Sequence, residues 1–324
     1  MALDRYLYLL RTYRWLASAW RLAGVPQYRI DRPIFLLGTQ GGGLSLLSRM
    51  LRRHPLTIST AGNCDYWTSS DEMANTFGLL LPPEFTGLRY KAPHHPVYTP
   101  PRSWTYACDE LIGAYRKSRL DASPRLASEL TKAIRFAALL YAKDKSHFRF
   151  VDKSQTTTVR LGLFYECLHD CDPRFILVAR DPYVAIYRAA TGKAGDMQRL
   201  SGQLSLAERV RVCTEHYMNS MRAVFQDSDN DHIAVHSLRL EDLLREPERS
   251  VREVCDFVDL EFNDQMLPRP EHRLPWGSRF RDRWWPLRAD VNAGYQHRIE
   301  QWMVREVNER GGDVVERLGY EVLD

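Results

Sequence analysis

The chain lacks most of what would tie it to a membrane span, a metal or a secretory route. No run of about 18 apolar residues occurs, so no segment reads as membrane-spanning. The first residues show no charged-then-apolar leader ending in a small-residue cleavage site. Cysteine is sparse: six thiols in 324 residues, none in a CxxC pair and none clustered with histidine at zinc-site spacing. Cys167 and Cys171 would share a helical face and read as two buried thiols in a reducing compartment rather than as metal ligands. A formal charge of +4 is too slight for nucleic acid as the main partner, though it suits a pocket that collects a small polyanion. Repeats and low-complexity tracts are missing as well. These absences lead to the expectation of a cytoplasmic protein.

What is present begins with "MALDRYLYLLRTYRWLASAWRLAG", aromatic and basic. Residues 1–24 could make peripheral contact with a membrane. Arg14 and Arg21 interrupt the apolar side, so the preferred reading is an N-terminal helix, residues 1–30, packed on the body. Residues 31–324 read as one domain. Its 62–110 stretch forms substrate-side loops, including a proline-rich segment over 82–104, and 265–324 holds a basic, Trp-rich segment and a C-terminal helix.

Within that domain, strands and helices alternate. "IFLL" (34–37), "FRFVDKS", "RFILVAR" (174–180) and "IAVHSLRL" are short and apolar, as buried parallel strands are. Helical spacing follows over 44–53, through the stretch from "WTYACDELIGAYRKS" to "SELTKAIRFAALLYAKDK", in "VRLGLFYECLHD", after Pro182, over about 204–226 and in "EPERSVREVCDFVDL". The pattern predicts a three-layer α/β domain with a mostly parallel central sheet.

The first strand runs into "GTQGGGLS". Glycines at 38, 41, 42 and 43 allow backbone amides to approach an anion, and the helix behind them points its positive end there. The dipole contributes about 0.3–2 kcal/mol. Ser45 adds a hydroxyl in the first helical turn. The loop carries no lysine or arginine. Leu44 after Gly43 breaks the GxxxxGK[ST] spacing of nucleoside triphosphatases, and no GxGxxG dinucleotide pattern occurs.

Taken together, "FLLGTQGGGLSLLSRML", "VDKSQTTTVRLG", "RFILVARDPYVAIYRA" and "LRLEDLLREPERSVREVCDFVDLEF" resemble the sulfotransferase family, in its bacterial and tyrosylprotein-sulfotransferase-like branch. The resemblance covers roughly residues 32–265. It implies a P-loop nucleotide-kinase-like fold and 3′-phosphoadenosine 5′-phosphosulfate (PAPS) as co-substrate, leaving 3′-phosphoadenosine 5′-phosphate (PAP), with no metal. The family's first loop commonly reads GxPRSGTTLL. Gly38 and Gly43 match its glycines, Ser45 its second threonine and Leu46-Leu47 the pair that follows. Its basic residue falls on Gly41 and its first threonine on Leu44. The resemblance thus expects Gly38, Thr39, Gln40, Gly41, Gly42, Gly43, Leu44 and Ser45 to cradle the 5′-phosphosulfate. It places Lys153 at the family's lysine on the bridging or sulfuryl oxygens, and Arg180 of "RDP" on the 3′-phosphate. Arg188 stands where the family has a serine on the same phosphate. Ser278, Arg279 and Arg281 would close over the nucleotide.

Sulfuryl transfer to a hydroxyl needs a base for the acceptor's proton. Relatives place an acid or histidine after the first helix, where this chain reads "STAGNCDYWTSSDE". Asp65 is the first candidate, followed by Asp71 and Glu72, with His94 or His95 behind them. The expected acceptor is a hydroxyl on a carbohydrate, lipid or small metabolite. A non-catalytic nucleotide-binding or scaffold descendant is the alternative, supported by Gly41 and Leu44; a P-loop kinase fits less well.

Overall fold

The computed structural model describes residues 24–65, 71–78, 80–86, 105–193, 203–269 and 287–324. Residues 1–23 of the expected N-terminal helix, His94 and His95, and Ser278, Arg279 and Arg281 lie outside the described residues, while residues 24–30 form no helix. The sheet has five strands: β1 (Ile34–Leu37), β2 (Thr57–Ile58), β3 (Arg149–Asp152), β4 (Arg174–Ala179) and β5 (Val235–Arg239). Their order is β2-β3-β1-β4-β5, and every pairing is parallel. β2 is two residues long, too short to show a period, and is not visible in the sequence pattern.

The two-residue period of a strand divides the core into layers. On β1, Ile34 and Leu36 join one hydrophobic cluster while Phe35 and Leu37 join another; on β4, Ile176 and Val178 part from Phe175 and Leu177 in the same way. One face is covered by helix α1 (Leu44–Leu51) and by the helix Pro247–Val258, through Leu47, Met50, Val251 and Val254. The other is covered by longer helices, Pro124–Tyr141 and Leu206–Asp231 among them. Fully burying one such Leu, Ile or Phe contributes about 1.5–3 kcal/mol.

Local chemistry sets the helix ends. The helical stretch after residue 105 is two helices, Asp109–Tyr115 and Pro124–Tyr141, because a Ser118–Asp121 capping box closes a 3-10 turn between them and Pro124 restarts the chain. The helix expected over 204–226 runs to Asp231. It starts at a Ser205/Glu208 capping box and stops where His232 turns left-handed. Among the described residues no helix is long and apolar enough to cross a membrane.

Parallel strands bring the C-terminal ends of β3, β1 and β4 side by side. The turns leaving those ends are where a ligand of an open α/β sheet is received.

Candidate active site

The loop leaving β1 is held closely. Gly38 has φ 143° and donates its N–H to Thr158 Oγ1 at 2.8 Å, while that hydroxyl donates back to the Gly38 carbonyl at 3.1 Å. A Cβ at position 38 would sit 2.5 Å from the Val178 carbonyl oxygen of β4. Gly38→Ala therefore meets both a left-handed backbone and an immovable neighbour. The expected cost is about 2–4 kcal/mol, read as a lower urea midpoint at unchanged slope. A loss below about 0.5 kcal/mol would mean that the strand end is looser than this geometry requires.

At the far end of the loop, Gly43 (φ 102°) is the N-cap of α1 and offers no side-chain cap. Its carbonyl takes the amides of Leu46 and Leu47. The N-terminal turn of α1 contains no acidic residue. The first amides of the helix, with the Ser45 hydroxyl beside them, thus present donors and positive potential to an anion.

Lys153 follows the last residue of β3, and the Phe35–Asp152 register places it next to the end of β1. It is buried. Its Nζ lies 3.1 Å from Asp71 Oδ1 and 2.8 Å from Glu72 Oε1. Ser48 of α1 donates to Asp71 Oδ2 at 2.7 Å, with Arg52 Nη1 3.8 Å from the same oxygen. Burial alone would raise the Asp71 carboxyl, but Lys153, Arg52, Ser48 and Arg49 outweigh it and hold the group below the usual carboxylate range. Burial would lower Lys153, and the two acids reverse that upward.

Asp152 explains why these acids stand over Lys153. Its oxygens accept from the backbone amides of Met73 (2.7 Å) and Ser154 (2.9 Å), which clamps α2 (Met73–Thr76) onto the end of β3. Asp71 and Glu72 precede that helix directly. Burial pushes the Asp152 carboxyl up to about 6. Asn75 donates to the second oxygen of Glu72. Among the three acidic candidates from the sequence, Asp71 and Glu72 thus join Lys153 while Asp65 sits apart. The Asp65 side chain is 67% exposed and pairs with Lys143 at 2.6 Å.

Arg180 leaves the end of β4 and is buried. Its Nε donates to Asn292 Oδ1 at 2.8 Å, Nη2 to the Val291 carbonyl at 3.0 Å and Nη1 to the Gly41 carbonyl at 3.4 Å. Burial, and then the charge of Arg188, bring it down to about 10, so it remains a cation at neutral pH. Arg188 ends the helix Pro182–Arg188, and its Nη1 reaches the same Gly41 carbonyl at 3.4 Å. Both guanidiniums face the ring of Tyr295, at 5.8 Å and 5.2 Å from its centroid. Glu241 ties the group together: it accepts from Asn292 Nδ2 (2.6 Å), the Asp181 amide (3.0 Å) and the Tyr320 hydroxyl (2.7 Å). Asn292 and Tyr295 escape sequence reading, since they lie more than 100 residues from Arg180 and no period links them.

A pocket lies against the loop, lined by Thr39, Gln40, Ala185, Ile186, His216 and Tyr217 among others. His216 Nδ1 accepts the Ala107 amide at 3.2 Å, which leaves the ring proton on Nε2. Burial drives this imidazole down to about 3, so it is neutral near pH 7.

The family model described as "Sulfotransferase family" matches residues 33–264. A search of curated proteins returns no match. Among solved structures, the sulfotransferase domain from the curacin biosynthetic pathway is 15% identical, with alignment over 91% of this chain and 100% of its own and a TM-score of 0.51. The sulfotransferase domain of the Synechococcus PCC 7002 olefin synthase is 17% identical over 93% and 99%, TM-score 0.46. Mouse sulfotransferase SULT7A1 complexed with PAP is 12% identical over 90% of each chain, TM-score 0.44. At such identities the likeness to the first of these is one of fold.

Proposed function

This chain belongs to the sulfotransferase family, and we propose that it transfers a sulfuryl group from PAPS to a hydroxyl of a carbohydrate, lipid or small metabolite. The observation that carries the reading is the convergence of Arg180 and Arg188 on the Gly41 carbonyl of the glycine loop, ahead of an uncapped helix N-terminus, with Lys153 at the end of the strand paired with β1. Lys153 comes from the end of β3, and Arg180 and Arg188 come from and beyond the end of β4, about the glycine loop. That donor set fits a nucleotide with phosphate groups at two positions, and Arg180 has the fork geometry for one of them.

When bound, PAPS supplies an activated sulfuryl group on a 5′-phosphate leaving group. The amides of Gly41, Gly43, Leu44 and Ser45 would hold the 5′ end, since those of Gly38 and Gly42 are donated to Thr158 Oγ1 and the Thr39 carbonyl. Lys153 donates to oxygens on which negative charge grows as the bond to sulfur breaks. Arg180 grips the 3′-phosphate. Glu72, hydrogen-bonded to Lys153 and less enclosed than Asp71, takes the acceptor's proton; a carboxylate has about four lone-pair sites, and Lys153 and Asn75 engage two. Asp65 is the comparison residue. Glu72→Gln is expected to lower turnover about 100-fold and Asp65→Asn less than twofold, by radiolabelled sulfuryl transfer. The reverse order would return the base role to Asp65.

A second reading, nucleotide binding without transfer, draws on Lys153 being held by two carboxylates. Thermal shift with PAP, ATP and adenosine 5′-phosphate, followed by a transfer assay across acceptor classes, separates the two. PAP at 100 times its Kd should stabilise by about 2.7 kcal/mol, well above the others. PAP binding with no release or transfer of sulfate from PAPS favours the second reading. No shift with PAP overturns both.

A further inference from the structure

We propose that Arg188 and Gly41 are an exchanged pair: the guanidinium of Arg188 fills the space a side chain at position 41 would occupy, and supplies the loop's cation from there. This rests on the reading that the loop receives the 5′-phosphosulfate. It moves Arg188 from the 3′-phosphate, where the family pattern put it, to the 5′ end of the nucleotide.

Position 41 provides the first observation. A Cβ built on Gly41 would lie 3.1 Å from Arg188 Nη1 and 3.9 Å from its Cζ, and beyond its two chain neighbours no other atom of the described residues comes within 4 Å. The direction in which a residue at 41 would project is thus filled by one group, the Arg188 guanidinium. Gly41 also has φ 81°, so its backbone favours glycine independently.

Arg188 provides the second. Its Nη1 contacts the Gly41 carbonyl, its cation faces the Tyr295 ring, and its Nε is buried with no hydrogen-bond partner among the described residues. A buried guanidinium N–H without an acceptor is unusual, and an anionic oxygen arriving at the loop would satisfy it. Arg180 differs. Its Nε and Nη2 are committed to Asn292 and Val291, on the side of the C-terminal segment. The two arginines converge on one carbonyl, yet differ beyond it: two further donors of Arg180 are fixed by Asn292 and Val291, while Nε of Arg188 has no partner among the described residues. A loop written GGG and an arginine at the end of the following helix are then two halves of one device. Arg188 holds its place because position 41 lacks a side chain.

The test uses the full chain as wild type, Arg188→Ser, Gly41→Arg and the double variant, titrated calorimetrically with PAP, adenosine 5′-phosphate and adenosine 3′-phosphate. Arg188→Ser should weaken PAP and adenosine 5′-phosphate by about tenfold each, the loss of one charge-assisted hydrogen bond, and change adenosine 3′-phosphate less than twofold. Gly41→Arg should weaken PAP when Arg188 is present and strengthen it when added to Arg188→Ser. A change in the same direction in both backgrounds overturns the exchange. So does an Arg188→Ser loss on the 3′-phosphate as large as on the 5′-phosphate. Should a chain carrying Gly41→Arg misfold, the single Arg188→Ser titration still decides the second point. If wild type binds no PAP, the functional reading has failed, and ligand-free melting temperatures then judge the exchange. Gly41→Arg must cost more with Arg188 in place than in the Arg188→Ser background, and equal costs overturn it.

Discussion

Lys153→Ala is expected to cut sulfuryl transfer about 10²–10³-fold and to destabilise the protein together, and the two losses must be parted before either is interpreted. Lys153 Nζ stands between Asp71 and Glu72 at 3.1 and 2.8 Å, in a buried position. Removing a partner from a buried ion pair costs about 3–5 kcal/mol, because the remaining charge has lost its compensation. Arg52 and Ser48 still face Asp71, so the lower end of that range is expected. Loss of an electrostatic donor to the leaving group lowers turnover by about 10²–10³. Lys153→Ala combined with Asp71→Asn separates the effects. The double variant should regain much of the melting temperature and none of the activity. Turnover that returns with stability would make Lys153 a structural cation only, and wild-type turnover in Lys153→Ala would remove it from the reaction. Its raised pKa and the lowered one of Asp71 keep both charged around neutrality, so modest pH changes do not mimic the variant.

Arg180→Ala should show the largest change in binding. Its fork sits at the end of β4, oriented by Asn292 and Val291, and its charge persists at neutral pH. Loss of one to two charge-assisted bonds to the 3′-phosphate, at about 1.5–3 kcal/mol each, predicts PAP binding weakened by roughly 10²-fold or more. Adenosine 5′-phosphate, which has no 3′-phosphate, should lose less than about fivefold, a factor set by the lost neighbouring charge alone. Equal losses for the two nucleotides would place Arg180 elsewhere. Asn292→Ala is the control for orientation. It frees Nε and breaks the link to Glu241 while keeping the cation, so a smaller loss of PAP affinity is expected.

Much of this architecture was legible in local patterns. "IFLL" and "RFILVA" are apolar throughout because both faces of a central parallel strand are buried, and the structure divides their side chains between two hydrophobic clusters. The glycines at 38–43 announce a turn with left-handed backbone, which Gly38, Gly41 and Gly43 adopt. Capping signals at Ser118 and Ser205 set helix starts, and a finer reading of Ser118 would have split the 105–145 stretch correctly. Order and spacing of the motifs around 34–47, 150–162, 174–189 and 238–262 were enough to point to the family. Each of those features depends on residues within a few positions of one another, and the chemistry of a short segment determines them.

The partners of each charge were decided only by the tertiary structure. Glu72 and Asp65 look alike as acids after the first helix; the clamp from Asp152 to the Met73 amide, across 79 residues, brings Glu72 to Lys153, whereas Asp65 pairs with Lys143 in solvent. The family resemblance would set Arg188 beside Arg180 on one phosphate, and only the fold shows its guanidinium over Gly41, 147 residues earlier. Asn292 and Tyr295 gave no local signal of the two arginines they contact. Sequence alone determined which strands and turns form, because burial period, capping and glycine backbone are short-range. Which cation meets which anion follows from how distant segments pack, since desolvation and Coulomb forces act on final positions in space and leave no period in the chain.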